Sequence, residues 1–181
     1  MAPTDTTEQG LESLIVAEMV GPEAAAEEGM VCEERAPYGE ARWIAGDPKA
    51  YDREYAVDLE QLSAFLFATQ EPQALALDVG HDGPARRKFL ARLREEITRR
   101  GVIDVLRRGI RHGPHSLDLF YGTPSPGNAK ATERYAANRF SVPRQLRYSR
   151  DESRLALDLC LFINGLPVIT FELKNRLTKQ T

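Results

Sequence analysis

The stretch LALDLCLFINGLPVITFELKN, residues 155–175, constrains this chain more than any other. Two apolar runs flank Asn164-Gly165, a dipeptide that takes positive φ readily and so favours a tight β-hairpin. Those runs nevertheless carry Asp158, Glu172 and Lys174. Charged groups on otherwise hydrophobic strands are costly to bury without a partner or a metal ion.

Strand side chains alternate between faces, so register decides which of the three meet. A two-residue loop pairs Ile163 with Leu166 and throws Asp158 and Glu172 onto opposite faces. A three-residue loop, Asn164–Leu166, pairs Ile163 with Pro167 and sets Asp158 opposite Glu172. In that register Leu155, Leu157, Leu159, Leu161, Ile163, Ile169, Phe171 and Leu173 form one wholly apolar face. The other face carries all three charges beside Ala156, Cys160, Phe162, Val168 and Thr170. The pattern predicts the three-residue loop, or a bulge with the same effect near Pro167, which has no amide hydrogen for the ladder to lose.

Directly opposed residues have Cβ atoms about 4.5–5.5 Å apart. Two carboxylates that close repel unless a cation lies between them, and Mg²⁺ suits oxygen ligands. Such an ion activates water and offsets charge on a phosphate. Lys174, on the same face as Glu172, is placed to orient that water or to offset charge on phosphorus. An acidic pair with a lysine on a strand is more often a solvated face, worth about 0–1 kcal/mol. Here the neighbours Ala156, Cys160, Phe162 and Val168 are poor company for water, which favours a site that cuts phosphodiesters.

The residues also resemble a family. LDLCLFINGLPVITFELKN is similar to the signature of the N-terminal nuclease domain of the R (restriction) subunit of type I restriction enzymes, a branch of the PD-(D/E)xK nucleases. TEQGLESLIVAEMV resembles the family's opening helix, LEQLSAFLFATQ and RRKFLARLREEITRRGVIDVLRRGIRHG its central helices, and YAANRFSVPRQLRYS the segment leading into the catalytic strands. The resemblance implies an α/β fold, a central mixed β-sheet flanked by helices with a restriction-endonuclease-like core. It implies Asp158 and Glu172 as metal ligands, Lys174 as the catalytic lysine, and the carbonyl of Leu173 as a further ligand. Glu12 on the first helix corresponds to an acidic residue near the metal, with Glu8 one turn earlier as its rival. It implies Mg²⁺ as cofactor, double-stranded DNA as substrate, and the modification and specificity subunits of a type I complex as partners.

The chain departs from the family pattern in two ways. Related nucleases carry a glutamine and a tyrosine about twenty residues after E-x-K, beyond Thr181. No G-x-x-x-x-G-K-[ST] loop is present, so ATP would enter only through a motor region absent from this chain. Residues 1–6 are expected as a disordered tail, and 7–181 as one domain, incomplete after Lys174 and truncated on its C-terminal side.

Charge is divided along the chain. Residues 1–82 hold 4 basic and 18 acidic side chains, whereas residues 83–181 hold 20 and 9. Basic groups supply most non-specific DNA affinity, although the stretch Arg86–Arg111 is also readable as solvated helix faces. Arg144, Gln145 and Arg147, on the strand before the hairpin, are candidates for DNA contact or line a wet edge. Two cysteines, Cys32 and Cys160, are too few for a disulfide framework or a zinc site, and Cys160 reads as a small buried hydrophobe. No apolar run approaches the ~20 residues of a membrane span, and the N-terminus has no basic-then-apolar leader, which together imply a soluble cytoplasmic protein.

Periodicity and breakers predict a helix from Thr7 to Gly21-Pro22, then a long loop over 22–57 with room for short extended pieces. A second helix, capped by Asp58, runs to about Gln70, a third from Pro84 to Gly101, and a short fourth over Val102–Arg108. Ser116–Tyr121 reads as a strand, Lys130–Asn138 as a helix, and Phe140–Tyr148 as the strand before the hairpin. Two functions remain open at this level. One is a Mg²⁺-dependent DNA endonuclease domain. The other is an inactive, truncated piece that only binds DNA or partner subunits.

Overall fold

A computed structural model describes residues 8–21, 43–151 and 154–174, with the backbone alone for Glu8. The expected tail over 1–6, the Thr7 cap and most of the long loop lie outside the described residues. The first helix, α1, spans Glu8–Val20 and stops at Gly21, whose φ is +89°. The chain then shows β1 (Trp43–Gly46), β2 (Tyr51–Asp52) and β3 (Val57–Asp58). Helices α2 (Leu59–Ala76), α3 (Pro84–Arg100) and α4 (Val102–Arg108) follow, then the hairpin β4 (Ile110–His112) and β5 (His115–Leu117). Helix α5 (Ala129–Ala136) leads into β6 (Phe140–Arg147), β7 (Ala156–Ile163) and β8 (Leu166–Phe171).

The sheet is mixed and four-stranded, in the order β1-β6-β7-β8. Strand β1 pairs parallel to β6, and the other pairs are antiparallel. Helices flank this sheet, as expected of an α/β chain. Helix α1 supplies Val16 and Val20 to a cluster with Val142, Leu159 and Leu161. Cys160 and Phe162, alternating with those leucines, pack the opposite way against Leu146 and Tyr51. The largest core gathers α2, α3 and α4 around the turn end of β7 and β8, through Leu62, Phe65, Phe89, Leu93, Val105 and Leu166.

Local chemistry accounts for the helix boundaries. The Asp58 carboxylate accepts from the Gln61 amide at 3.0 Å and caps α2. Pro84 opens α3, and Gly101 and Gly109 end α3 and α4. Helix α2 does not stop at Gln70 as expected but breaks there, at φ −148°, and resumes through Pro72 to Ala76. The break frees the Gln70 side chain to receive the Asp118 amide at 2.9 Å and to donate to the Asp118 carbonyl at 2.8 Å. Asn138 does the same for the amide and carbonyl of Tyr121, at 3.1 and 2.7 Å. The strand expected over Ser116–Tyr121 is therefore cut short at Leu117, because amide side chains take the backbone groups that a neighbouring strand would take. Strand β1, inside the expected loop, was hidden by the lack of periodicity in its four residues.

The hairpin resolves the register question through the second alternative. Asn164 and Gly165, at φ +51° and +80°, make a two-residue turn that pairs Ile163 with Leu166. The three-residue loop is not formed. A bulge then leaves Val168 between the pairs Phe162–Pro167 and Leu161–Ile169, so that Leu159 meets Phe171. One step further, the same register places Asp158 opposite Glu172.

The turn is interior rather than exposed. Asn164 is fully buried. Its Oδ1 accepts from the Arg139 amide at 2.6 Å, and its Nδ2 donates to the Leu119 carbonyl and to Asn138 Oδ1 at 2.9 and 3.0 Å. A Cβ on Gly165 would collide with the Asp58 carbonyl oxygen and lie 2.7 Å from the Leu62 amide nitrogen. Replacing Asn164 with Ala removes three hydrogen bonds, leaves the Arg139 amide and the Leu119 carbonyl without this partner, and is expected to lower unfolding free energy in urea by about 2–4 kcal/mol. Gly165→Ala should do at least as much, and a loss under about 0.5 kcal/mol in either would remove the turn from its structural role.

Burial pushes the Asp58 carboxyl above its ordinary pKa, against the lowering by its hydrogen bond from Gln61. The unfolded carboxyl ionises more easily, so this group takes stability away as pH rises from the ordinary carboxylate range through the raised value. Asn caps as well as Asp. Asp58→Asn should therefore be at least as stable as the native chain at pH 7, with the advantage fading below about pH 4; a variant less stable at pH 7 by more than 1 kcal/mol would contradict this.

Candidate functional site

The site is built where α1 meets the middle of β6 and β7. In a regular strand, adjacent side chains point to opposite faces. Arg144 and Gln145 are adjacent in β6, yet both reach α1. Arg144 Nη2 donates to Ser13 Oγ at 3.0 Å, and Gln145 Nε2 donates to Glu12 Oε1 at 2.7 Å. Gln145 has φ +50°, left-handed for a residue with a Cβ, and this one dihedral turns its side chain to the helix side. Such a conformation costs on the order of 1–3 kcal/mol and persists only where surroundings enforce it.

Gln145 lies opposite Asp158 in the β6–β7 register, between the pairs Arg144–Leu159 and Leu146–Leu157. Its Nε2 also lies 3.3 Å from Asp158 Oδ1, so one amide joins the carboxylates of Glu12 and Asp158. The second oxygen of Asp158 accepts from the Leu173 amide at 2.6 Å. This bond ties the end of β8 to β7 and brings the E-L-K segment against Asp158. Leu173 thus presents its N–H, not its carbonyl, to that carboxylate, while its side chain packs in the α1 cluster.

Glu12 is the least ordinary residue here. It is 1% exposed. Among the described residues its Oε2 has no hydrogen-bond partner, and the cation beside it, Arg144 Nε, stands 3.6 Å away. A buried carboxylate oxygen left without a donor is a standing penalty that a cation would relieve. Asp158 is half-buried, and Glu172 and Lys174 are exposed. Arg147 is exposed as well, and so is Gln145 although it bonds to α1 and lies beside Asp158, whereas Arg144 is half-buried against α1. Among the described residues no group of three or more His, Cys, Asp or Glu side chains gathers as a metal-holding cluster. Two carboxylates joined by an amide, with one oxygen unsatisfied, still match an ion that keeps most of its ligands as water. The side chain of Glu8 lies outside the described residues.

Cys160 takes no part. Burial raises its thiol to about 12, so it stays protonated and inert, in keeping with its place beside Phe162 and Leu146. Sequence reasoning assigned Gln145 to DNA contact and missed its bridging role. The only sequence signal was a glutamine at the position opposite Asp158, and the left-handed backbone that makes the bridge is not written in local propensity. Among the described residues no helix is long and apolar enough to cross a membrane.

A model of the family described as type I restriction enzyme R protein N terminus matches residues 85–181. No curated protein and no solved structure matches the chain.

The two effects of Gln145, backbone strain and side-chain bridging, are separable. Glycine adopts φ +50° without penalty, whereas a β-branched residue there is an outlier. Gln145→Gly should unfold within about 1 kcal/mol of the native chain, and Gln145→Val should lose more than about 2 kcal/mol. Equal losses in the two variants would show that the backbone conformation is not what the strand requires.

Proposed function

The chain belongs to the type I restriction enzyme R protein N-terminal family, and from that premise we propose that it is a Mg²⁺-dependent DNA endonuclease domain with a PD-(D/E)xK core. The observation that carries the reading is the pairing of Asp158 with a deeply buried Glu12 whose Oε2 has no donor. Acids arranged this way are costly in an apolar domain unless a cation is part of the working state.

Asp158 and Glu12 are the residues to hold the ion, with Glu172 and the backbone of Leu173 at the open end of β8 as further oxygen donors. When bound, Mg²⁺ supplies acidity to water and offsets charge at the scissile phosphate. The protein does the rest by position. Gln145 sets the distance between the two inner carboxylates, and the Leu173 amide fixes the Asp158 rotamer through the 2.6 Å bond. Lys174, exposed beyond β8, offsets the negative charge that grows on phosphorus as the bond to the leaving oxygen lengthens. Arg147 on the exposed side of β6 meets the DNA backbone. Target recognition then falls to a specificity subunit, modification to another subunit, and ATP use to the motor of the R protein. The setting is the cytoplasm, where such a complex meets double-stranded DNA.

One observation favours the second reading. Glu172 is exposed, and the described residues hold no three-acid cluster, as expected of an inactive piece that only binds DNA or partner subunits. A supercoiled-plasmid nicking assay separates the two. With Mg²⁺ the native chain should nick, and Asp158→Ala or Lys174→Ala should be slower by at least about 100-fold, the scale of one lost electrostatic contact in the transition state. Equal nicking by native chain and variants would leave only the binding reading.

A further inference from the structure

A second charged assembly lies apart from the candidate site and shares no residue with it. At its centre is Glu96 of α3, whose side chain is 4% exposed. Arg92 Nη2, Arg99 Nη2 and Arg100 Nε each stand 2.7 Å from its oxygens. Arg100 then reaches Asp104 at 2.6 Å and donates to the Gly109 carbonyl at 2.7 Å, and Arg108 Nε meets Asp104 at 3.0 Å. Above these groups opens a cavity of about 280 Å³ lined by Arg92, Glu96, Arg99, Arg100, Arg108 and Arg111.

The charge in this assembly does not balance. Five guanidiniums line the cavity, while the carboxylates that hold them are Glu96, Asp104 and, on Arg92, Glu95 at 2.8 Å. The hydrogen bond from Arg99 holds the Glu96 carboxyl below its ordinary range, with Arg92 and Arg100 adding to the effect. Helix ends often carry basic residues that favour the C-terminal dipole, but such residues do not bury a glutamate among themselves. Glu96 and Asp104 act here as fasteners. Each holds one edge of a guanidinium and leaves other N–H groups directed elsewhere: Arg99 engages Glu96 through Nη2, and Arg108 engages Asp104 through Nε. Arg111 is exposed on the adjoining β4. A planar donor fork already fixed in place loses little freedom when it binds a tetrahedral oxyanion.

We propose that this cavity is a phosphate site for the sugar-phosphate backbone of a nucleic acid, a second contact surface away from the cutting centre. The chemistry matches: forked N–H donors recognise phosphate oxygens in pairs, and a net positive recess attracts a polyanion without reading its sequence. Only the identity of the polyanion as duplex DNA rests on the proposed nuclease reading. The binding itself does not require cleavage.

The test measures binding of the full chain to a fluorescent 20-base-pair duplex in EDTA, as a function of salt, so that catalysis plays no part. Arg108→Ala/Arg111→Ala should bind at least about 10-fold more weakly, irrespective of duplex sequence, with the slope of log K against log salt smaller by about 2. Arg111→Ala alone, at an exposed position, should lower the slope by about 1 and leave the urea midpoint unchanged, which separates lost contact from lost folding. Inorganic phosphate added at constant ionic strength should compete with the duplex for the native chain and not for the double variant. Unchanged affinity and slope in both variants would overturn the site. So would competition by phosphate that persists in the double variant, or loss of affinity only where the urea midpoint also falls. If plasmid nicking proves indifferent to Asp158 while duplex binding still weakens in these arginine variants, the nuclease reading fails and this one stands.

Discussion

The amide of Asn164 is the interaction on which the rest of the structure depends. It sits in a hairpin turn, where side chains ordinarily face water, yet it is fully enclosed. Its three bonds tie β7 to the Leu119 carbonyl, to the Arg139 amide before β6, and to Asn138, which itself holds Tyr121. The Asp58 amide donates to the Gly165 carbonyl at 2.8 Å, joining the start of α2 to the same point. Buried amide networks of this kind are favourable only when every donor and acceptor is matched, and that requirement leaves the turn a single position. Because the turn is fixed from within, the distal ends of β7 and β8 are fixed as well, and those ends carry Asp158 and the E-L-K segment.

Two irregularities then shape the site. The bulge at Val168 shifts β8 by one residue, so that Phe171 pairs with Leu159 rather than with Asp158. The left-handed Gln145 lets β6 present two successive side chains to α1. Bulges and positive φ values commonly re-aim side chains near functional sites. Neither irregularity alone would suffice: without the first the acids diverge, and without the second Glu12 loses its hydrogen bond from Gln145.

Much of this was legible in the chain. The caps Asp58, Pro84, Gly101 and Gly109 mark helix ends by mechanisms that act within one turn, and the structure places helix boundaries at each of them. The demand that Asp158 and Glu172 share a register, weighed against the pull of Asn-Gly toward a two-residue turn, was also readable, and the bulge satisfies both. What escaped notice depends on partners distant in the chain. Strand β1 exists because β6 offers it a parallel edge. The backbone at Asp118 is not a strand because Gln70, 48 residues earlier, takes its hydrogen bonds. The bond from Arg144 to Ser13 spans 131 positions, and no local pattern announces it.

That last separation has a consequence for biosynthesis. Glu12 and Gln145 are 133 residues apart and meet directly, and Asp158 joins them later still. Contacts between distant parts of a chain form late, after the loop between them has been closed. A ribosome therefore exposes the first acid of this centre long before it delivers the others. The centre can close only once β6 and β7 have been synthesised, however early Glu12 has taken its place in α1.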